Sequence, residues 1–482
     1  MTLVAGVDCS TQSTKVLIVD ADDGTVVGEA AAPHSVGGTV GARETNPAVW
    51  ADALSACVAA TGLGGDVAAV SVAGQQHGLV VLDDQRHVLR PAILWNDTRA
   101  GTEASALVRE LGGPPRCAST VGSVLTPAFT VASWAWLRES EPELCGRARW
   151  VCLPHDYLTA LLTGGPLVTD RSDASGTGWW SPNAEDYVDE VLSLGAVRLD
   201  RSQLPTVHRG DETAGYVCAG AAETFGLAGG AVVAVGAGDN AAAALGLGLQ
   251  PGDVAVSLGT SGTVYAVAGR PSCDPTGIVA GFASADGAYL PLACTLNATL
   301  AVDSVARILG LDRGEVAPSD GVVFLPWLDG ERIPNRPSAS GALVGVRHDT
   351  DPRSVLQAAY EGAAATLLAA LDSLAGWASI DDASPLIVIG GGARSKVWRE
   401  VIGRLSARPL VVPDASELVA LGAAVQAAAA VTGRSPTSVA AAWGTRRGLR
   451  INAVDRDDDV IDRIKEWTTT VASFADRDRR EE

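Results

Sequence analysis

Short apolar runs and longer helical stretches follow one another along the whole chain. Apolar runs bounded by Gly, Ser, Thr or Asp predict strands at 67–73, 79–82, 231–235, 386–389 and 410–412. Helices are predicted at 149–162, in the Ala-rich stretch that follows 240, and at 417–431. In each half, hairpin strands come first and alternating strands and helices follow. This order predicts an α/β fold, with mixed sheets flanked by helices.

One hairpin pattern occurs twice, at 4–19 and at 253–267. Each copy has an apolar run, a turn of small hydroxyl residues and glycine, and a second apolar run. The backbone N–H groups and hydroxyls of such turns are suitable ligands for a phosphate. One turn in each half therefore predicts two similar domains that hold a single polyphosphate. Two unrelated Ser/Thr hairpins would produce the same pattern, and that alternative stays open here.

Length and composition indicate a protein of several domains and argue against nucleic-acid and membrane partners. A chain of 482 residues is too long for one core, and 47% apolar residues suffice for two or three domains. The net charge of −20 argues against nucleic-acid and anionic-membrane partners. No apolar run approaches the roughly 20 residues that span a bilayer, and 418–431 comes nearest. The eight cysteines contain no Cys-x-x-Cys pair, which indicates a reducing, cytoplasmic location and no zinc site.

Two aspartates are the candidate catalytic groups. Asp239 lies where a predicted strand ends and a helix begins, where it could take a proton from a substrate hydroxyl. Asp8 ends the first strand, where it could hold Mg²⁺ against a triphosphate. Asp239 could instead cap the helix, and Asp8 could instead fix an Asx-turn. Lys15 is expected to be structural or weakly electrostatic.

Polar clusters at strand ends supply candidate ligands for a polyol. Gly74-Gln-Gln-His-Gly78 places two amides and an imidazole between glycines, and 95–99 has similar character. The glycine-rich turn at 390–395 would let a ligand approach the backbone closely. Taken alone, 74–78 and 95–99 are each more often hydrogen-bonded loops than ligand sites, and a single glycine-rich turn is a weak signal.

Three other enzyme classes can be weighed from motifs. The Gly-x₄-Gly-Lys-Ser/Thr pattern of P-loop enzymes and the Gly-x-Ser-x-Gly elbow of hydrolases do not occur. Residues 236–241 do match Gly-x-Gly-x-x-Ala of dinucleotide-binding proteins. However, Asp239 would then place a carboxylate beside a pyrophosphate, and the acidic residue expected about 20 positions later is missing.

Together these segments resemble the FGGY family of carbohydrate kinases, and the resemblance covers essentially the whole chain. The matching motifs lie at 8–15, 74–78, 93–99, 154–158, 170–177, 238–240, 257–262, 324–332, 341–345, 361–362 and 390–395. Two positions depart from common family patterns. Gln76 stands where some bacterial members have methionine, and Ser133 stands where a family signature usually has lysine.

The resemblance implies two actin-like, ribonuclease H-like domains with the active site in the cleft between them. The expected domains are 1–237, which binds the sugar and carries the first hairpin, and 238–482, which binds ATP and carries the second. The implied reaction is ATP-dependent phosphorylation of D-xylulose at O5, with ribulose, gluconate and glycerol as alternative acceptors. A non-catalytic paralogue that binds ATP and sugar is a further alternative, and a homodimer is left open.

The resemblance also implies a role for individual residues. Asp239 is the expected base, and Asp8 and Asp239 are the expected groups near Mg²⁺. The expected sugar contacts are Gln76, His77, Asp239 and Asn240. The expected contacts to ATP are Thr11, Gly259, Thr260, Gly391 and Gly392.

Overall fold

A computed structural model describes residues Met1–Asp478, which divide into two compact units. The first unit comprises Met1–Leu249, Gly269–Leu290 and Glu417–Thr445. The second comprises Gln250–Ala268, Pro291–Ser416 and the chain from Arg446 onward. Asp239 thus belongs to the first unit, together with a segment from near the C-terminus. The predicted family domains 1–237 and 238–482 stay a prediction, and the compact units do not follow a single cut in the chain.

The chain forms 24 strands and 16 α-helices among the described residues. The strands are β1 Leu3–Cys9, β2 Ser13–Asp20, β3 Val26–Pro33, β4 Glu44–Thr45, β5 Val67–Gly74, β6 Val80–Leu82, β7 Ala92–Ile93, β8 Trp150–Cys152, β9 Val168–Asp170, β10 Trp180–Ser181, β11 Asp186–Tyr187, β12 Thr206–His208, β13 Thr213–Tyr216, β14 Val232–Ala234, β15 Ala237–Gly238, β16 Val254–Leu258, β17 Gly262–Ala266, β18 Val279–Ala283, β19 Tyr289–Thr295, β20 Val323–Leu325, β21 Ala342–Val344, β22 Leu386–Ile389, β23 Leu410–Pro413 and β24 Gly448–Ile451. The helices are α1 Ala48–Thr61, α2 Gly101–Glu110, α3 Pro114–Val121, α4 Thr130–Ser140, α5 Pro142–Cys145, α6 Pro154–Thr163, α7 Arg171–Ala174, α8 Asp189–Leu192, α9 Ala219–Phe225, α10 Asp239–Gly246, α11 Thr299–Leu309, α12 Pro352–Leu374, α13 Lys396–Ser406, α14 Leu418–Thr432, α15 Pro436–Trp443 and α16 Asp458–Asp478. Three short 3₁₀ helices complete the order, at Gly64–Asp66, Arg201–Gln203 and Gly391–Arg394.

The main sheet of the first unit has the strand order β13-β14-β5-β1-β2-β3, with β15 also paired to β5. The β1–β2 and β2–β3 pairs are antiparallel, whereas β1–β5 and β5–β14 are parallel. The outer β13–β14 pair is antiparallel again. This mixture of orientations confirms the predicted mixed sheet.

The second unit repeats this pattern of strands in the order β19-β17-β16-β22-β23-β24. Antiparallel β19–β17 and β17–β16 pairs correspond to those of β3, β2 and β1. Parallel β16–β22 and β22–β23 pairs and an antiparallel β23–β24 pair follow. The two hairpins noticed in the sequence, β1–β2 and β16–β17, therefore occupy equivalent places in two sheets of the same topology.

Alternating residues of β1 face different helices. Ala5 and Val7 belong to a buried cluster that also contains Trp50 and Leu54 of α1. Gly6 points to the opposite face, where a Cβ would lie 1.9 Å from the carbonyl oxygen of Ala420 in α14. Glycine is therefore required here for α14 to pack directly on the strand. This contact explains why a segment near the C-terminus belongs to the first unit.

The Ala-rich stretches form two helices that approach each other unusually closely. A Cβ at Gly422 of α14 would lie 1.8 Å from the carbonyl oxygen of Ala242 in α10. A Cβ at Gly246 would lie 2.2 Å from the carbonyl oxygen of Leu418. The small side chains at 241–246 and 418–431 thus serve helix packing inside the first unit.

Two sequence expectations need correction. The predicted helix 149–162 is a strand at Trp150–Cys152 followed by a helix that begins at Pro154. Proline fits the first turn of a helix, and Trp150–Cys152 pairs with β6 instead. The composition of the last roughly 15 residues, rich in Asp, Arg and Glu, predicts a frayed tail, but α16 continues to Asp478, and 479–482 lie outside the described residues. Among the described residues, α12 is long and apolar enough to cross a membrane by length and composition, but 78% of its apolar window is buried within the protein, so the expectation of no membrane span is not overturned.

Candidate active site

The carboxyl ends of three strands meet at one edge of the first sheet. The register aligns Asp8 of β1 with Ala73 of β5, and Ala73 in turn with Ala237 of β15. Gln75 and Gln76 follow directly after β5, and Asp239 follows directly after β15. The predicted polar groups of the first unit therefore collect at one edge because parallel strands end together there.

Asp8 is a buried carboxylate with a fixed orientation. It is 3% exposed, and the Ser10 hydroxyl donates a hydrogen bond of 2.6 Å to its Oδ1. Burial raises the pKa of Asp8 to about 6, against the opposing effects of the Ser10 hydrogen bond and the Lys15 charge. Asp8 lies within β1, where it pairs with Lys15 of β2. It is thus a strand residue and not the turn residue considered as an alternative.

Lys15 is paired with a distant carboxylate. Its Nζ lies 2.6 Å from Oε2 of Glu417, the residue immediately before α14. Both side chains are about one-third exposed, at 32% and 33%. The expectation that Lys15 is structural or weakly electrostatic agrees with this ion pair.

Asp239 is the first residue of α10, and Gly238 occupies the N-cap position. Its Oδ1 accepts hydrogen bonds of 2.7 Å from the backbone N–H of Asn240 and 2.8 Å from the Asn240 side-chain amide. Burial raises the pKa of Asp239 to about 7, and the negative charge of Asp8 contributes in the same direction. A carboxylate with this pKa can exchange a proton near neutral pH.

Gln76 and His77 follow β5 closely, and Gln76 lies beside the residue that precedes Asp239. A Cβ at Gly238 would come within 2.8 Å of the Gln76 side chain, so Gln76 packs directly on the backbone of the N-cap. His77 has a positive φ of 69°, and its Nδ1 donates to the carbonyl oxygen of Gly176 at 2.5 Å. Its ring also lies 5.0 Å and 5.7 Å from the rings of Phe129 and Phe282. These contacts fix the imidazole in one orientation.

Thr11 lies in the first hairpin turn and has a partner that the sequence did not reveal. The indole N–H of Trp95 donates to the Thr11 hydroxyl at 3.0 Å. Trp95 is itself 38% exposed, so it extends the surface beside the turn. The neighbouring Asp97 instead accepts hydrogen bonds from Arg99 and from the backbone N–H of Arg43. Within the polar segment 95–99, Trp95 is therefore the residue at the site, and Asp97 is structural.

In the second unit, the β16–β17 turn is held by the start of α11. The carbonyl oxygen of Gly259 accepts from the backbone N–H of Thr299 at 3.1 Å and from its hydroxyl at 2.8 Å. The carbonyl oxygen of Thr260 accepts from the N–H groups of Ala298 and Leu300. The turn carbonyls thus face α11, whereas the Thr260 side chain is exposed.

A buried carboxylate anchors the loop before α11. Glu331 is 1% exposed, and it accepts from the backbone N–H groups of Leu296 and Asn297 and from the Asn297 side-chain amide. Through this loop Glu331 fixes the segment that holds Gly259 and Thr260. Sequence reasoning quoted the 324–332 motif but assigned Glu331 no role.

The two glycines expected near the nucleotide differ in their surroundings. Gly391 is exposed, and a Cβ there would meet no atom within 4 Å. A Cβ at Gly392 would lie 2.7 Å from Cβ of Leu258, the last residue of β16. The glycine-rich turn therefore packs against the end of the second hairpin strand, and Gly391 leaves an open surface that a flat ligand could approach.

The carboxylates of the first unit suit a hard divalent cation. Asp8 and Asp239 both have raised pKa values, and the charge of Asp8 raises that of Asp239. The nearby cation Lys15 already pairs with Glu417. Two interacting carboxylates whose neighbouring cation is already paired with Glu417 fit Mg²⁺, which binds through one or two carboxylates plus substrate phosphates.

Known proteins provide the remaining evidence. Models described as the N-terminal and C-terminal domains of the FGGY family of carbohydrate kinases match residues 3–246 and 254–431. The xylulose kinase of Streptomyces coelicolor is 52% identical over 477 residues, covering 99% of this chain and 98% of the relative. That of Streptomyces rubiginosus is 52% identical over 476 residues, covering 98% of each. The crystal structure of xylulose kinase from Bifidobacterium adolescentis is 33% identical, with a TM-score of 0.84 over 97% of this chain and 99% of that one. The repeated α/β sheets, the paired carboxylates and these matches agree, and the chain belongs to the FGGY family of carbohydrate kinases.

Proposed function

We propose that this protein transfers the γ-phosphoryl group of ATP to D-xylulose and forms D-xylulose 5-phosphate. The observation that carries the proposal is the placement of Asp8 and Asp239 at the ends of the two strands that flank β5, with Gln76 and His77 just after β5. Relatives named xylulose kinase that are 52% identical over nearly the full length support the choice of sugar.

In this proposal Asp239 is the general base. Its raised pKa, about 7, lets the carboxylate accept the proton of the attacking hydroxyl near neutral pH. Asn240 donates two hydrogen bonds to Oδ1, and these hold the carboxylate in one orientation. Gln76, His77 and Asn240 orient the sugar by donating to and accepting from its hydroxyls. A fixed base and a fixed acceptor together lower the entropic part of the barrier.

The phosphate contacts are assigned to the two hairpin turns. Thr11 in the first unit, and Gly259 and Thr260 in the second, supply hydroxyl and backbone donors. Asp8 and Asp239 are the groups that would hold Mg²⁺, which when bound offsets the negative charge of the phosphates. The Ser10 hydroxyl keeps Asp8 oriented for that role at 2.6 Å.

The nucleotide is assigned to the glycine-rich turn of the second unit. Gly391 offers an open backbone surface, and Gly392 is packed on Leu258 beside the hairpin that carries Gly259. In this assignment the 1–237 domain binds sugar and the 238–482 domain binds ATP. A cytoplasmic location is supported by the eight cysteines, all of which are free thiols. Sedimentation measurements test whether the protein forms a homodimer.

The proposal is tested by sugar-dependent ADP release with MgATP across D-xylulose, D-ribulose, L-ribulose, glycerol and gluconate. We expect the highest kcat/KM with D-xylulose and a product phosphorylated at O5, identified by ³¹P NMR. A higher kcat/KM with another acceptor would replace D-xylulose as the substrate. Absence of sugar-dependent ADP release with every acceptor would overturn the assignment as a kinase for these sugars.

A further inference from the structure

A short buried segment of the first unit, 170–177, contacts Gln76, His77 and the residue immediately before Asp239. All eight of its residues are buried, and it contains the single-turn helix α7. The segment is one of the motifs shared with the family, but neither the sequence nor the proposed mechanism gives it a role. We call it the 170–177 segment.

Ser172 lies at the centre of these contacts. Its hydroxyl oxygen accepts a hydrogen bond of 3.1 Å from the backbone N–H of Gly238, the residue immediately before Asp239. Its carbonyl oxygen accepts from the side-chain amide of Gln76 at 3.3 Å. Four residues further on, the carbonyl oxygen of Gly176 accepts from His77. One segment thus contacts Gly238, the N-cap residue of α10, and two of the assigned sugar contacts, Gln76 and His77.

The 170–177 segment is itself fixed by hydrogen bonds. Asp170 caps α7 by accepting from the backbone N–H groups of Ser172 and Asp173. Asp173 lies 2.6 Å from Nδ1 of His155, and both side chains are completely buried. The Ser175 hydroxyl donates to the carbonyl oxygen of Ser172 at 2.6 Å. Hydrogen bonds with residues on either side in sequence therefore fix the position of Ser172, and Ser172 in turn restricts the movement of the groups bonded to it.

Close packing leaves the strand ends little freedom to move relative to this segment. A Cβ at Gly74 would lie 3.0 Å from His155, and a Cβ at Gly236 would lie 2.7 Å from Cδ2 of the same ring. The imidazole thus fills the space left by Gly236, shortly before Asp239, and the backbone and Cβ of His155 pack on Gly74, shortly before Gln76. A small displacement of the segment would be transmitted to both strand ends.

We propose that Ser172 is a positioning residue for the phosphoryl transfer, because its hydroxyl fixes the start of α10 and thereby the carboxylate of Asp239. The inference rests on the proposed function. Ser172→Ala removes only the acceptor for Gly238, whereas Gln76 still bonds to the backbone carbonyl. The loss should therefore fall on kcat and leave KM for the sugar nearly unchanged.

The chain offers a matched control in Ser123. Its hydroxyl also accepts from a buried glycine N–H, that of Gly281 at 3.0 Å, and its side chain is 1% exposed. We expect Ser172→Ala to lower kcat by about tenfold to about 100-fold, as a displaced catalytic group does. KM for D-xylulose should change by less than about twofold, and Ser123→Ala should change kcat by less than about twofold. Similar losses in kcat for the two variants would overturn the inference.

A double-mutant cycle with Asp239→Asn tests whether Ser172 acts through the base. If it does, Ser172→Ala should cause little further loss once the carboxylate has been removed. Equal losses in the two backgrounds would contradict the inference. If the alanine variant does not fold, Ser172→Cys, whose thiol is a weaker acceptor, is measured by the same criteria. All variants are assayed with the acceptor that wild type phosphorylates best, so that a wrong choice of sugar does not affect the comparison.

Discussion

Asp239→Asn should make the protein more stable near neutral pH while it impairs catalysis. The carboxylate of Asp239 is part-buried and lies in the field of Asp8, and both conditions disfavour its charge. Asparagine has nearly the same shape, and its side-chain oxygen can still accept from Asn240. The substitution therefore removes an unfavourable charge and retains the local hydrogen bonds.

The size of the effect follows from the pKa. The folded-state pKa of Asp239 is about 7, compared with 3.8 for the reference carboxyl, and at about 1.4 kcal/mol per unit the limit is about 4 kcal/mol. Because the side chain keeps some contact with water, we expect about half of that, about 2 kcal/mol. Because the folded-state pKa of Asp239 is raised, the wild-type protein has its full stability from this group below pH 3.8, where the carboxyl is protonated in both states. It loses that contribution as the pH rises through about 7. The advantage of asparagine should therefore be absent below the first value and complete above the second.

The assay is urea unfolding followed by tryptophan fluorescence, at about pH 5 and about pH 8, for wild type and Asp239→Asn. We expect the stability difference to be larger at the higher pH. Asp97→Asn is the control with the opposite sign. Burial raises the pKa of Asp97, but hydrogen bonds from Arg99 and two backbone N–H groups outweigh it and lower the pKa. That variant should lose stability at the higher pH. An Asp239→Asn variant no more stable than wild type at about pH 8 would refute the reasoning.

Three further predictions concern the nucleotide and metal sides. The methyl group of Gly391→Ala would enter open space, so this variant should raise KM for ATP by about tenfold without loss of stability. Gly392→Ala should instead lower the free energy of unfolding by about 1–3 kcal/mol. An unchanged KM for ATP in Gly391→Ala would remove Gly391 from the nucleotide site. Glu331→Gln weakens the hydrogen bonds that hold residues 296–297. In initial-rate measurements it should raise KM for ATP but not KM for the sugar. An effect on KM for the sugar alone would contradict this prediction. Asp8→Asn should raise the Mg²⁺ concentration needed for half-maximal rate by about tenfold, and an unchanged requirement would exclude Asp8 as a metal group.

Local patterns in the sequence were sufficient to predict the two hairpins and most of the central strands. Apolar runs bounded by turn residues have a direct structural consequence, so 4–19 and 253–267 form the predicted hairpins. The helix predicted at 149–162 was wrong because the apolar residues of this segment suit a strand or a helix equally well. Pairing with β6 makes Trp150–Cys152 a strand. The order of strands beyond each hairpin depends on contacts between distant segments, which periodicity does not encode.

The residues of the candidate site could be predicted from the sequence, but the contacts that position them could not. Asp8 and Asp239 were identifiable because Asp8 lies near the end of one apolar strand and Asp239 directly follows another. Their alignment at one edge depends on the register of β1, β5 and β15. The partner of Lys15 lies 402 residues away in sequence, and Ser172 is 66 residues from Gly238. Side chains that act through such long-range contacts have no local signal that would single them out.

The role of Asp239 as the base that activates the sugar hydroxyl is tested most directly by the turnover of Asp239→Asn. With MgATP and D-xylulose we expect kcat to fall by about 100-fold or more. Binding of D-xylulose, measured by calorimetry, should survive within a few-fold, because Gln76, His77 and the Asn240 side chain remain. Turnover close to that of wild type would contradict the assignment of Asp239 as the base.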